Sequence, residues 1–454
     1  MGRFISKLLQ KDLLKGVILL KMQRMTFKRS FFVLYFITHT LLLTVLGNIR
    51  AFAPDELSYI NCFKGLYSSN FDLAPFGGWW NANVIFLRVL YLPIKIFTFL
   101  PFSDLVLLRL YSIILTSIAL FLLIHFTKIT DSYLGKLALI VFTFTPSVFL
   151  WTTLAIKESF ILLALVVFFL GIECIRKSRR VVGYVPCLFS GYSLLNLKGY
   201  LYVILTISIV LAVIMKIVRT FKFEKTALLL LFVLFLPYVI SPSTSALILE
   251  SSIGFSNKLS EFRVVDEISQ TDPSQTDPSQ TDRESGMTLS LLNQEANQNT
   301  LFNSVLSILR LDEFLSSKAL FYSESSSKDL YVNRSLNPVN PTDFNGFING
   351  LLALLFLPNV FRNNGSAALD LLGFEIFLWV FLYSTAIYIG WKSKSNLVSF
   401  NSICLMIYSL MFIVVSEMTE INLGTAIRHR IVLGLTLIIF IGSQKITGKN
   451  ILPK

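Results

Sequence analysis

The chain has 454 residues, of which 54% are hydrophobic and 41 are Phe, and its mean hydropathy is +0.67. A soluble chain of this length would not be so apolar throughout, so the composition excludes an ordinary soluble domain and predicts a polytopic membrane protein. The net charge of +13 does not indicate a nucleic-acid partner, because the Lys and Arg residues cluster between apolar stretches, as in the cytoplasmic loops of membrane proteins.

Basic residues alternate with apolar ones in residues 1–30, including Arg3, Lys7, Lys11 and Lys15. This pattern is typical of an amphipathic helix that lies on a membrane surface. We interpret residues 1–30 as a cytoplasmic amphipathic segment.

Ten apolar stretches along the chain have the length and composition of membrane-spanning helices. They are Phe31–Gly47, Asp104–Phe126, Leu134–Trp151, Ser159–Ile175, Val182–Asn196, Tyr200–Val218, Thr226–Ile240, Leu369–Gly390, Leu397–Ser416 and Ile427–Ile441. The predicted fold is therefore all-α, with about ten transmembrane helices.

Two further apolar stretches, Val84–Leu100 and Phe347–Phe361, are predicted to be interfacial juxtamembrane helices. If Val84–Leu100 crossed the membrane, the basic run Arg176–Arg180 would face outward, against the rule that short basic loops stay inside. With both stretches interfacial, both termini are cytoplasmic. We expect a multi-pass protein of a bacterial cytoplasmic (plasma) membrane.

This topology divides the chain into three further parts after residue 30. A membrane module covers residues 31–241, with an outer loop at 48–103, and an extracytoplasmic loop covers 242–346. The C-terminal part, 347–454, holds the second interfacial helix and the remaining spans. The large loop contains a pentapeptide repeat, SQTDPSQTDPSQTD, at residues 269–282. The repeat is polar and has no hydrophobic period, so it predicts a disordered linker.

Charged residues gather on the outer face in this threading. They are Asp55 and Glu56 after the first span, Lys157 and Glu158 in the second outer loop, Lys198 in the third, and Arg428, His429 and Arg430 at the start of the last span. Charges at membrane depth are costly, so a convergent set predicts a functional site.

Carboxylates and cations at an outer membrane face suit transfer from a lipid-phosphate donor. The phosphate leaves as a stable anion, so one carboxylate suffices as base for the attacking hydroxyl. Cations stabilise the charge on the departing phosphate, and we assign this task to Lys198, Arg428 and Arg430 with His429. No cofactor is predicted, although Asp55, Glu56 and Glu158 could hold Mg²⁺ or Mn²⁺.

Over roughly residues 25–220 the chain resembles the GT-C superfamily of membrane glycosyltransferases, such as protein O-mannosyltransferases and aminoarabinose transferases. In this superfamily the first crossing is followed by an Asp-Glu pair and a nearby Tyr. In this chain Asp55, Glu56 and Tyr59 match that pattern. An Arg early in the second span is matched by Arg109, and the stretches TPSVFLWTTLAIKES and SGYSLLNLKGYL resemble later elements. Lys157 and Glu158 stand where the family usually carries Arg and Asp.

The resemblance implies a polyprenyl-phosphate-linked sugar donor, inversion at the anomeric carbon and a catalytic Asp that comes first in the pair, here Asp55. The acceptor is then a hydroxyl of a glycan, lipid or protein. Two alternatives stay open: a cell-surface polysaccharide polymerase or ligase with a lipid-pyrophosphate-linked oligosaccharide donor, and a transporter or flippase of lipid-linked sugars. A transporter would favour internal repeats and polar residues at mid-membrane.

Overall fold

The computed structural model describes residues 26–46, 56, 59, 102–176, 180–220, 234–236, 344–357, 372–393, 400–419 and 423–444. All regular structure in these ranges is helical, with no strand. We number the helices α1 Thr26–Leu46, α2 Asp104–Phe126, α3 Tyr133–Phe144, α4 Pro146–Thr153, α5 Glu158–Arg176, α6 Arg180–Leu197, α7 Gly199–Thr220, α8 Phe344–Phe356, α9 Glu375–Lys392, α10 Phe400–Thr419 and α11 Leu423–Ser443, with a 3₁₀ turn at Ile129–Asp131.

Four described helices, α1, α2, α5 and α7, are long and apolar enough to cross a membrane, and the bent pair α3–α4 makes up to five. The chain is thus an all-helical protein with several membrane-spanning candidates, which indicates a multi-pass membrane protein. The finer prediction of ten crossings stays a prediction. Of its spans, Thr226–Ile240 lies outside the described residues except for 234–236.

Several helices keep large apolar side chains on the outside of the bundle. On α1 these include Val33, Ile37 and Leu41, each about half exposed or more, and on α9 they include Ile387 and Trp391. Exposed apolar faces of this extent suit contact with lipid rather than water. The pattern supports the membrane assignment.

The predicted span Leu134–Trp151 is broken in the structure, where α3 and α4 meet at an angle of 57°. Pro146 opens α4 and has no N–H to continue the α3 hydrogen-bond ladder, and Thr145 before it takes φ −58° and ψ 126°. The bend leaves the N–H of Ser147 without a helical acceptor, and a carboxylate oxygen of Glu375 accepts it instead.

Helix α11 lies at the centre of the bundle and contacts α3, α4, α5, α8, α9 and α10. Its apolar residues from Ile431 to Ile438 are buried on nearly all sides, as expected of a helix enclosed by others. Gly434 permits this enclosure, because a Cβ there would lie 2.8 Å from ring atoms of both Phe142 and Trp379.

The two ends of the bundle differ in chemistry. At one end, the backbone N–H of Lys128 donates to the carbonyl of Gly442 (3.0 Å), and the amide of Asn401 donates to Glu173 (2.5 Å). At the other end, α1 and α6 finish while α2, α5, α7, α9 and α11 begin. We call this second end the polar end, because Glu56, Arg109, Glu158, Lys198 and Arg428 lie there.

Candidate functional site

Glu56 and Arg109 form a fully buried ion pair at the polar end. The Nε and Nη2 atoms of Arg109 donate to the two carboxylate oxygens of Glu56, each at 2.9 Å, and both side chains are 0% exposed. The backbone N–H of Ala155 also donates to Glu56 (2.8 Å), and Arg109 reaches the carbonyl of Leu46 (3.5 Å). The ion pair thereby joins Glu56 to the last residue of α1, the first turns of α2 and the turn between α4 and α5.

The second predicted pair, Lys157 and Glu158, is almost buried, and its two members have different neighbours. The ammonium of Lys157 donates to the carbonyl of Leu197 at the end of α6 (3.1 Å). The carboxylate of Glu158 lies 3.7 Å from a guanidinium nitrogen of Arg428 and in the electrostatic field of Lys198 and Lys157. Glu158 is therefore the acidic member of a mainly cationic cluster.

Lys198 and His429 meet across 231 residues of sequence, with 3.0 Å between Lys198 Nζ and His429 Nε2. The hydroxyl of Tyr200 lies 2.8 Å from the same ring nitrogen, and the ring of Phe412 packs against the imidazole at 5.8 Å between centroids. A protonated Lys can only donate, so Nε2 then accepts and the ring proton is on Nδ1. The imidazole links Lys198 and Tyr200, at the start of α7, to α11.

Arg428 is oriented by an aromatic ring as well as by Glu158. Its guanidinium carbon lies 5.0 Å from the centre of the Trp151 ring, within the range of cation–π attraction. The side chain is 18% exposed, which makes it the more accessible member of the Arg428–Glu158 pair. We name Lys157, Glu158, Lys198, Arg428 and His429 the Lys198 cluster.

Arg430 belongs to a different set of contacts. Residues two apart on an α-helix project roughly 200° from each other, so Arg430 does not share the face of Arg428. It is 3% exposed, and the groups that act on its charge are Glu375 and Tyr383 of α9. Arg428 and Arg430 therefore have different described neighbours, and their joint binding of a phosphate stays a prediction.

Local sequence explains why the cluster forms at helix ends. Pro146 begins α4, a helix of only 8 residues, and the chain then turns at residues 154–157. This turn places Glu158 at the start of α5. Lys198 is the single residue between α6 and α7. Because several helices begin or end at this level, the charged side chains at their ends converge there.

The remaining predicted site residues are placed as follows. Tyr59 is buried in the core (2% exposed), and Asp55 lies outside the described residues. The described part of the chain contains no group of three or more His, Cys, Asp or Glu residues that could hold a metal ion. With Asp55 outside that part, the metal prediction is not tested.

Three residues near the predicted set were missed in the sequence. Trp151 and Tyr200 contact Arg428 and His429, and Glu375 accepts hydrogen bonds at the α3–α4 bend. Tyr200 could have been found from its position two residues after Lys198, and Glu375 from its charge at the start of an apolar span. Trp151 has no comparable signal in a chain so rich in aromatic residues.

Comparisons with known proteins give no assignment: no protein-family model matches the chain, and no curated protein and no solved structure matches it. The site must therefore be interpreted from its own chemistry.

Proposed function

We propose that the protein is a membrane glycosyltransferase that moves a sugar from a polyprenyl-phosphate donor to an acceptor hydroxyl at the outer face of the membrane. The observation that carries the proposal is the Lys198 cluster, in which Lys198, Arg428 and His429 come from distant parts of the sequence to one end of an apolar bundle. A lipid-linked phosphate combines an apolar chain with an anionic head, and the lipid-facing bundle and its cationic end match these two parts.

The cations have the chemistry that a departing phosphate needs. Arg428 offers a planar set of donors that fits two phosphate oxygens, and Lys198 adds a point charge. Glu158 and Trp151 hold Arg428 on two sides, so that its orientation is set before the ligand arrives. Such preorganisation favours the state in which negative charge has moved onto the phosphate.

In the proposed reaction the acceptor oxygen attacks the anomeric carbon from the side opposite the phosphate. The bond between that carbon and the phosphate oxygen breaks, its electron pair stays on the phosphate, and the hydroxyl proton passes to a carboxylate. We assign this carboxylate to Asp55, as the GT-C resemblance implies. The sugar is transferred with inversion.

In this proposal Glu56 is a positioning residue rather than the metal ligand that the sequence suggested. Both of its oxygens accept from Arg109, and one also accepts from Ala155. A carboxylate held in this way anchors the chain rather than orienting an acceptor or a metal ion. We propose that Glu56 positions the neighbouring Asp55.

One observation favours a second candidate, a transporter of lipid-linked sugars. The bend between α3 and α4 leaves a helix start inside the bundle, where Glu375 is 4% exposed and accepts from Ser147. Broken helices with buried charges are common at transporter binding sites. The polymerase or ligase alternative differs from the first proposal in its pyrophosphate donor.

Purified protein in liposomes that contain a polyprenyl-phosphate-linked sugar, supplied in turn with a glycan, a lipid and a peptide that carry acceptor hydroxyls, separates these candidates. The glycosyltransferase releases free polyprenyl phosphate, which mass spectrometry detects, and Arg428→Ala reduces that release by about 10- to 100-fold. A transporter moves the intact lipid-linked sugar between leaflets without that product. Movement without release would overturn the proposed reaction.

A further inference from the structure

A buried cavity lies next to the bend between α3 and α4. Residues of α1 to α5 and of α11 line it, and every one of these residues is buried. The cavity volume that a water molecule can occupy is about 10 Å³, close to what one buried water needs. Most of the lining is apolar and none of it is charged, but Tyr35, Thr116, Thr143 and Thr152 bring hydroxyls to it.

Two of these hydroxyls make no hydrogen bond within the described part of the chain. They are the Oγ1 atoms of Thr116 on α2 and of Thr143 on α3, and both side chains are buried. A hydroxyl that is taken out of water without a partner destabilises the folded state, so buried polar groups are nearly always hydrogen-bonded to protein or to ordered water. Two unpartnered hydroxyls in the lining of one cavity therefore indicate a ligand between them.

Other buried threonines of the bundle satisfy their hydroxyls locally. Thr145, Thr152 and Thr206 each donate to the backbone carbonyl four residues earlier, at 2.6, 2.7 and 2.9 Å. This bond is a common solution for threonine in a helix. Thr116 and Thr143 lie in regular helices and do not make it. Their hydroxyls are thus available to a partner outside their own helices.

Tyr35 supplies a third polar group to the same cavity. Its hydroxyl donates to the carbonyl of Ile113 at 3.3 Å, which is long for a bond between two oxygens, and that carbonyl also accepts from Ser117 at 2.7 Å. The Tyr35 oxygen can accept a hydrogen bond as well as donate one. A water molecule fits this set, because it can accept from two threonine hydroxyls and donate to a tyrosine oxygen, and buried waters typically make about three hydrogen bonds.

We propose that the cavity is a binding site for one structural water molecule, which accepts hydrogen bonds from Thr116 and Thr143 and donates one to Tyr35. The water joins α1, α2 and α3 at the level where Pro146 interrupts the hydrogen-bond ladder from α3 to α4. Ordered waters and threonine side chains are among the groups that make breaks in membrane helices tolerable. The bend is then held by a polar contact in addition to apolar packing.

A double-mutant cycle on the purified full-length protein in detergent tests the water site. Valine has the shape of threonine without the hydroxyl, so Thr116→Val and Thr143→Val keep the packing. Each should lower the apparent unfolding temperature by about 2–4 °C, because the water loses a partner. The double variant should lose less than the sum of the two, since both hydroxyls act through one water. Thr206→Val, which loses a bond inside its own helix, is the control and should add to Thr143→Val.

The outcomes that overturn the proposal are equally specific. Additive losses for Thr116→Val and Thr143→Val would mean that the two hydroxyls have separate partners. An unchanged or higher unfolding temperature in either single variant would mean that its hydroxyl has no bond to lose. A wild-type cryo-EM map that resolves ordered waters provides a second measurement. We expect one density peak within hydrogen-bond distance of both hydroxyls, and a map without that peak contradicts the site.

Discussion

Glu56 and Arg109 lie 53 residues apart in sequence and form a buried ion pair with two contacts of 2.9 Å. The pair holds Glu56 against the beginning of α2. In the proposed function this ion pair positions Asp55, the preceding residue in the sequence, which lies outside the described residues.

Breaking this pair should destabilise the protein. Glu56→Gln removes the negative charge and leaves the Arg109 guanidinium buried, a change that typically costs about 3–5 kcal/mol. We expect a lower apparent unfolding temperature in detergent, measured by fluorescence-detected size-exclusion chromatography after heating. Asp131→Asn, at an exposed carboxylate, is the control and should change stability by less than about 0.5 kcal/mol. Equal unfolding temperatures of Glu56→Gln and Asp131→Asn would show that the ion pair does not anchor residue 56 to the bundle.

The contacts of His429 predict graded effects on donor binding. Lys198→Ala removes a charge and should weaken binding of a polyprenyl-phosphate-linked sugar by roughly 10- to 100-fold. Tyr200→Phe keeps the ring beside His429 and loses only the hydroxyl bond, so its effect should be less than about tenfold. Tyr192→Phe, at a partly exposed tyrosine of α6, is the control. A larger loss for Tyr200→Phe than for Lys198→Ala would contradict a phosphate-binding role for Lys198.

The close packing of α5 against α6 can be tested at Gly183. A Cβ there would lie 2.6 Å from the Ile175 side chain and 2.7 Å from the carbonyl of Gly171, so no larger side chain fits without movement. Gly183→Val should therefore destabilise the protein by about 1–3 kcal/mol. Val182→Leu, on the exposed face of the same helix, should have little effect. Thermal unfolding of both variants measures the difference.

Some of this arrangement could be predicted from the sequence. The positions of the long apolar stretches predicted most of the described helices. The distribution of Lys and Arg put Lys198 and Arg428 on the same side of the membrane, which agrees with their meeting in one cluster. The bend at Pro146 was missed, because the apolar run continues through it and only the backbone rule for proline signals the break.

The individual contacts could not be predicted in the same way. Hydropathy reports depth in the membrane and leaves open which helix faces which neighbour. Arg109 was singled out from the resemblance, but its pairing with Glu56 depends on how α1 and α2 pack. The separation of Arg428 from Arg430 likewise follows from the central place of α11.

The predicted topology has a direct test with introduced cysteines. We expect a cysteine at Ser274 to face outward and cysteines at Lys177 and Lys392 to face the cytoplasm, since basic loops stay inside. Lys392 ends α9, whereas Ser274 and Lys177 lie outside the described residues. On a background without native cysteines, an impermeant thiol reagent should label only the 274 site in intact cells. Labelling at 177 would contradict the ten-crossing topology.

The central claim is tested most directly by the chemical step at Asp55, which lies outside the described residues. Loss of a positioned base slows a reaction by about 10²–10⁴-fold, and the amide of Asn keeps the size of the Asp side chain. A deletion strain of the source cell is complemented with wild type or Asp55→Asn at equal protein level, and mass spectrometry measures its lipid-linked sugars and surface glycans. The account predicts that Asp55→Asn inserts normally, accumulates the lipid-linked donor and fails to restore the glycan. Restoration of the glycan by Asp55→Asn to near the wild-type level would contradict it.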